Sequence, residues 1–150
     1  MRTHFRKFAT CSVLALSFAS SSVSAAADDS MVGRWFTEGV ERGVHLQVFI
    51  ETKPDGSYVK DVRAIQNCQT AGTAKETGKW TFESGKFATT SEMLDGKPMT
   101  GSYADLHDLF NVTRVDDTHL NLFDTETNLT WGLERVSDTF GFPPARGCSI

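Results

Sequence analysis

No apolar run in this 150-residue chain reaches the roughly 20 residues that a membrane-spanning helix requires. That excludes a helical membrane protein. Beyond the N-terminal region the histidines are His45, His107 and His119, each on or beside a separate predicted strand and none in an H-x-H or H-E-x-x-H arrangement. Metal-ligand spacing is therefore missing; Asp105, His107 and Asp108, the nearest approach to a ligand cluster, fall in an irregular stretch where acidic groups are normally solvated. There is no G-x-S-x-G elbow, no P-loop and no dinucleotide fingerprint, so an enzyme reading rests on no motif and no cofactor is implied.

Basic residues are also in the minority, 15 against 19 acidic. Three of them, Arg2, Arg6 and Lys7, precede an apolar run over residues 11–18 and a small-residue stretch ending Val23-Ser24-Ala25 or Ala25-Ala26-Ala27. That order is the pattern of a secretory signal peptide, here residues 1–25. Its removal would leave 12 basic against 19 acidic residues, about −7. A nucleic-acid partner, whose affinity comes from cationic side chains on phosphates, is not expected. Cys11 opens the apolar run and no cysteine closes it, so the expected product is secreted free of a lipid anchor, most simply into a periplasm.

Loss of the signal leaves two cysteines, Cys68 and Cys148. In an oxidising compartment an even pair reads as a disulfide bond, and neither C-x-x-C spacing nor nearby partners suggests redox or metal work. The bond would pin residues 137–150 back across the domain formed by residues 26–136.

The domain is rich in short alternating segments. In residues 44–51, Leu46, Val48 and Ile50 share one face and His45, Gln47, Phe49 and Glu51 the other. Lys53-Pro54-Asp55-Gly56 is a turn, because Pro presets its backbone dihedral and Gly accepts a positive one; it joins that strand to residues 57–66 as a hairpin. Residues 67–76, rich in Gln, Thr, Ala and Gly, read as a loop carrying Cys68. A hairpin across Ser84-Gly85 follows, then an irregular stretch over 94–108, then strands over 109–115 and 119–124. The final strand, Asn128-Leu129-Thr130-Trp131-Gly132-Leu133-Glu134-Arg135-Val136, puts Leu129, Trp131, Leu133 and Arg135 on one face. Eight or nine short strands with frequent turns and no helical period predict an all-β fold, a small up-and-down antiparallel barrel in preference to a two-sheet sandwich.

Gly33-Arg34-Trp35 opens the first strand, and a closed meander makes the last strand its neighbour. The Arg135 guanidinium is then expected over the Trp35 indole, a cation–π contact worth about 0.5 to 2 kcal/mol. A Gly-x-Trp on the first strand with a basic cap from the last resembles the lipocalin and wider calycin superfamily, in particular its small bacterial lipocalin-like members. The resemblance assigns structural roles to Gly33, Trp35 and Arg135 and implies a C-terminal cysteine tied to a mid-barrel strand. Classical lipocalins add a Thr-Asp-Tyr type motif, which is not evident here, so no ligand class follows.

Aromatics occur on nearly every strand, from Trp35 and Phe49 to Phe123 and Trp131, and in so small a barrel most of them fill the interior. A few lining a cavity with convergent polar groups would make a small-molecule site, and Tyr58, Arg63, Tyr103 and Arg114 are the candidates for ligand binding. Alternation does not settle which way they point. The leading functional expectation is a small apolar or amphipathic ligand held in the barrel. Its rivals are a filled barrel that binds a protein, as an inhibitor or envelope partner, through the N-terminal segment Ala26 to Met31 or through the tail where Phe140 and Phe142 lie, and a barrel enzyme acting on a lipid-like substrate, which requires a titratable pair facing a cavity.

Overall fold

The computed structural model describes residues 29–41 and 43–148; the predicted signal peptide lies outside them. Nine strands and one helical turn follow the chain in order: β1 (Gly33–Glu41), β2 (Val44–Thr52), β3 (Ser57–Gln66), β4 (Gln69–Glu83), β5 (Lys86–Leu94), β6 (Lys97–Pro98), α1 (Tyr103–Leu106), β7 (His107–Val115), β8 (His119–Asp124) and β9 (Leu129–Val136). Every pairing is antiparallel. Eight strands pair with their sequence neighbours and β9 returns to β1, closing the sheet on itself, while β6 and α1 hang on the connection between β5 and β7. The fold is the predicted all-β up-and-down barrel, and closure removes the free edges an open sheet would expose.

Two boundaries differ from the sequence expectation. Residues 67–76 are not a loop: the chain turns at Asn67 and Cys68, both with positive φ, and pairs at once with β3 from Gln66↔Gln69 onward. Gln69, Thr70 and Thr73 belong to a part of the hairpin exposed on both faces, so no alternation of apolar residues marks them as strand. Within the irregular stretch, Asp105 accepts hydrogen bonds from the Ser102 backbone N–H (2.9 Å) and hydroxyl (2.7 Å), which starts the single turn α1.

One end of the barrel is plugged. Met31, Trp35, Tyr58, Trp80, Phe87 and Leu133 are all at most 3% exposed and form one cluster with Leu120 and Leu122. The two tryptophans are anchored alike, Trp35 Nε1 donating to the Met31 carbonyl (3.1 Å) and Trp80 Nε1 to the Lys53 carbonyl (3.0 Å). Each follows a glycine that leaves room for a neighbour. A Cβ on Gly33 would stand 2.1 Å from the Arg135 guanidinium, and one on Gly78 would stand 2.0 Å from the Thr90 carbonyl oxygen. The resemblance between Gly33-Arg34-Trp35 and Gly78-Lys79-Trp80 thus reflects one packing solution used twice.

Trp35 and Arg135 are paired directly in the β1–β9 ladder. The Arg135 guanidinium sits 4.1 Å from the Trp35 ring centroid and donates to the carbonyls of Val32 (2.6 Å) and Ser30 (2.9 Å). That ladder is short, covering only Arg34↔Val136, Trp35↔Arg135 and Phe36↔Glu134. Beyond it β1 and β9 separate, leaving a slot of about 260 Å³ flanked by the exposed Val40 and Leu129.

Residues 137–148 cross the outside of β1, β2 and β3. Phe140 packs on Phe36 and Phe49, and Phe142 packs on Phe49 with the Arg63 guanidinium 4.8 Å above its ring. The tail accounts for two aromatics on a face that alternation assigns to solvent. Gln47, fully buried beneath it, donates to Glu38 (3.0 Å) and to the Pro143 carbonyl (3.2 Å) and accepts from Arg63 Nε (3.0 Å). The Cys68 and Cys148 sulfurs are at bonding distance across a sequence separation of 80, with their Cα atoms 5.5 Å apart.

Candidate functional site

Above the plug the barrel opens into a pocket of about 300 Å³ that is partly exposed to solvent. Its wall is mainly apolar: Val48 and Ile50 from β2, Val62 from β3, Phe110 from β7, Leu122 from β8 and Trp131 from β9 all reach it. Alternation explains this placement, since each lies an even number of residues from an inward-facing partner on its own strand. Three charged side chains break the apolar lining, Lys60, Asp108 and Asp124. A second hollow of about 290 Å³ adjoins it beside α1, lined by Tyr103, His107 and Glu126 and sharing Asp108, Phe110 and Asp124 with the first.

Behind Lys60 lies a hydrogen-bonded cluster on β3, β4 and β5. Lys60 Nζ is 2.7 Å from Glu76 Oε2 and 3.9 Å from Asp108 Oδ2. Glu76 Oε1 accepts from the Tyr58 hydroxyl and from the Ser91 hydroxyl (2.7 Å), and the two hydroxyl oxygens are 3.0 Å apart. Burial alone would push the Glu76 carboxyl up, but the Lys60 ammonium, by charge and hydrogen bond, and the Tyr58 and Ser91 hydroxyls together hold it below its ordinary value. Burial pushes the Tyr58 phenol up, and its hydrogen bond to the carboxylate adds to the shift. Glu76 is consequently a fixed anion with both oxygens engaged, and Tyr58 a fixed donor. A titratable pair does stand beside the cavity, as an enzyme would require, but its carboxylate is weakly basic and does not line the cavity.

A register shift between Thr77 and Gly78, where β4 meets β5, marks the strand next to Glu76. Such irregularities re-aim a side chain. Glu76 fell inside the segment read as a loop, and Lys60 lies where polar and apolar residues occur on both faces, so alternation did not single out either. The usable signal was local: Tyr58, Lys60 and Val62 occupy alternate positions of β3 and must share a face.

Of the sequence candidates, Tyr58 points into the interior at 1% exposure, next to Lys60 and Glu76. Tyr103 lines the adjoining hollow, stacked on His107 with centroids 3.5 Å apart. Arg63 lies on the outer wall beneath the tail, beside a groove of about 390 Å³ next to the disulfide. Arg114 is on the surface, its Nε donating to Asp116 at 2.7 Å. The interior thus holds one of the four, a second stands at its edge, and two are outside. Gly33, Trp35 and Arg135 form one unit at the plugged end.

Among the described residues no helix is long and apolar enough to cross a membrane, and no group of three His, Cys, Asp or Glu side chains is placed to hold a metal ion. No protein-family model matches the chain, and no curated protein matches it. Among solved structures the chain is similar to a crystal structure of an uncharacterized protein from Bacteroides eggerthii. The TM-score is 0.43 and the sequence identity 14%, over 70% of this chain and 98% of that one.

Proposed function

We propose that this is an exported, lipocalin-like binding protein that holds one small apolar or amphipathic molecule inside its barrel. The observation that carries this reading is the 300 Å³ interior cavity, apolar on most of its wall with a few charged groups at one side. Small-molecule sites have that composition and begin at about that size. Export is supported by the N-terminal sequence and by a cysteine pair at bonding distance, which persists best in an oxidising compartment. The tail reading keeps part of its contact surface: Phe140 is 38% exposed, while Phe142 is partly buried, and both pack on the barrel's own aromatics.

Native mass spectrometry of the mature protein, purified gently from the periplasm of its own host, tests the proposal. A co-purifying small molecule that is lost on denaturation, on a chain lighter by two hydrogens, is the expected result. A clean chain mass, together with no binding of an apolar fluorescent dye, would overturn it.

A further inference from the structure

The charges around the cavity are unequal, and the imbalance has a chemical meaning. One cation, Lys60, stands against the carboxylates of Glu76 and Asp108, Asp124 lines the same cavity, and Glu126 adds a fourth at the edge of the adjoining hollow. Lys60 is committed to Glu76 at 2.7 Å and stands at 3.9 Å from Asp108. Asp124 accepts from the Thr127 hydroxyl (2.7 Å) and from the backbone N–H of Glu126 (2.8 Å), neutral donors that orient the carboxylate without cancelling its charge. Asp108, Asp124 and Phe110, the cross-strand partner of Asp124, line both hollows, while Val48, Ile50, Leu122 and Trp131 line only the first, Leu122 and Trp131 one step nearer the plug along β8 and β9. A ligand entering there meets two anions and then hydrocarbon. A carboxylate headgroup would be repelled, because the one cation within reach is already paired.

We propose, resting on the binding reading above, that the ligand is a cationic amphiphile: an ammonium headgroup at Asp108 and Asp124 with its hydrocarbon portion in the barrel. The acids set headgroup selectivity and the apolar wall supplies the bulk of the affinity.

Titration calorimetry with octylamine, octanol and octanoate at pH 7 tests this, since the three share a chain and differ in head charge. Octylamine should bind about fivefold tighter than octanol, as for one partly screened charge pair, and octanoate weaker than either. Raising the salt to about 0.5 M should erode the amine preference and leave octanol unchanged. Asp108→Asn, which removes a charge and leaves the Lys60–Glu76 pair in place, should cost amine affinity alone. Octanol binding with octanoate equal to or tighter than octylamine, or an amine preference untouched by Asp108→Asn, would overturn the headgroup assignment while the cavity reading stands. Failure of all three to bind would overturn both.

Discussion

Arg135 is the residue on which the closed end depends, because it performs three tasks that no other side chain can combine. It covers the Trp35 ring, supplies donors to two carbonyls of the entering chain, and fills the space a side chain at residue 33 would occupy. Gly33 has φ near +144°, so Gly33→Ala meets both an unfavourable backbone and the guanidinium, and should cost about 1–3 kcal/mol in chemical denaturation. Trp35→Ala empties the plug and should cost about 3–5 kcal/mol, lowering Tm without selectively removing ligand binding. Selective loss of binding at unchanged stability would contradict the structural role. This unit was legible in the sequence because the Gly-x-Trp and the basic residue on the last strand constrain one another. Lys60 and Glu76 were not, since an ion pair between neighbouring strands leaves no mark in either strand's own pattern.

At the same scale, Glu76 ties folding to pH. Its carboxyl titrates lower in the folded chain than in the unfolded one, so its ionised form contributes stability that is fully present above the unfolded value and is lost as pH falls through the folded one. The stability gap between the natural chain and Glu76→Gln should therefore be constant above about pH 5 and shrink in more acid solution. Urea titrations at a series of pH values would measure it; a gap that widens on acidification would contradict the assignment.

Among the elements, the tail is the one whose role depends on a covalent bond. Closing a separation of 80 residues removes about 4–5 kcal/mol of unfolded-state entropy in the chain-entropy description. Cys148→Ser should destabilise the fold by up to that amount, and exposure of Phe36 and Phe49 as the tail lifts should raise the fluorescence of an apolar dye. Phe142→Ala, with the bond intact, should cost less, since Phe142 is only partly buried. Strands β2 and β9 could be read from alternation because each has one face toward the core, whereas β3 was placed only by the turn before it. The first half of β4 could not, because neither of its faces is covered. The pairing of Phe36 and Phe49 with the tail was likewise hidden: two outward aromatics say that something covers them, not what.

For the molecule as a whole, the order of strands followed from turn signals and closure from the Gly-x-Trp with its basic partner on the last strand, while the quality of the closure did not. The β1–β9 seam is held by three residue pairs and then opens into the slot beside Val40 and Leu129. Alternate amides of residues 37–41 and 129–133 face that slot without a ladder partner and should exchange with solvent faster than the amides of β2 in hydrogen-exchange measurements. Protection equal to that of β2 would show the seam closed in solution. The cavity was no more legible than the slot, because a filled barrel and a hollow one share the same alternation and differ only in the volumes of side chains that meet across the axis.

The same seam and the same disulfide decide how the protein would respond to a pulling force applied at its two ends. Everything between Cys68 and Cys148 is short-circuited by the sulfur bridge and bears no extension. The load would enter the domain at β1 and reach the bridge through β2 and β3, so the first strand would peel from β9 while the cavity's far wall stayed folded. Reduction would release the looped segment, adding about 280 Å of contour for its 80-residue separation. Stretched in an oxidising medium, the barrel is a short tether with a fixed stop; reduced, it becomes a long one.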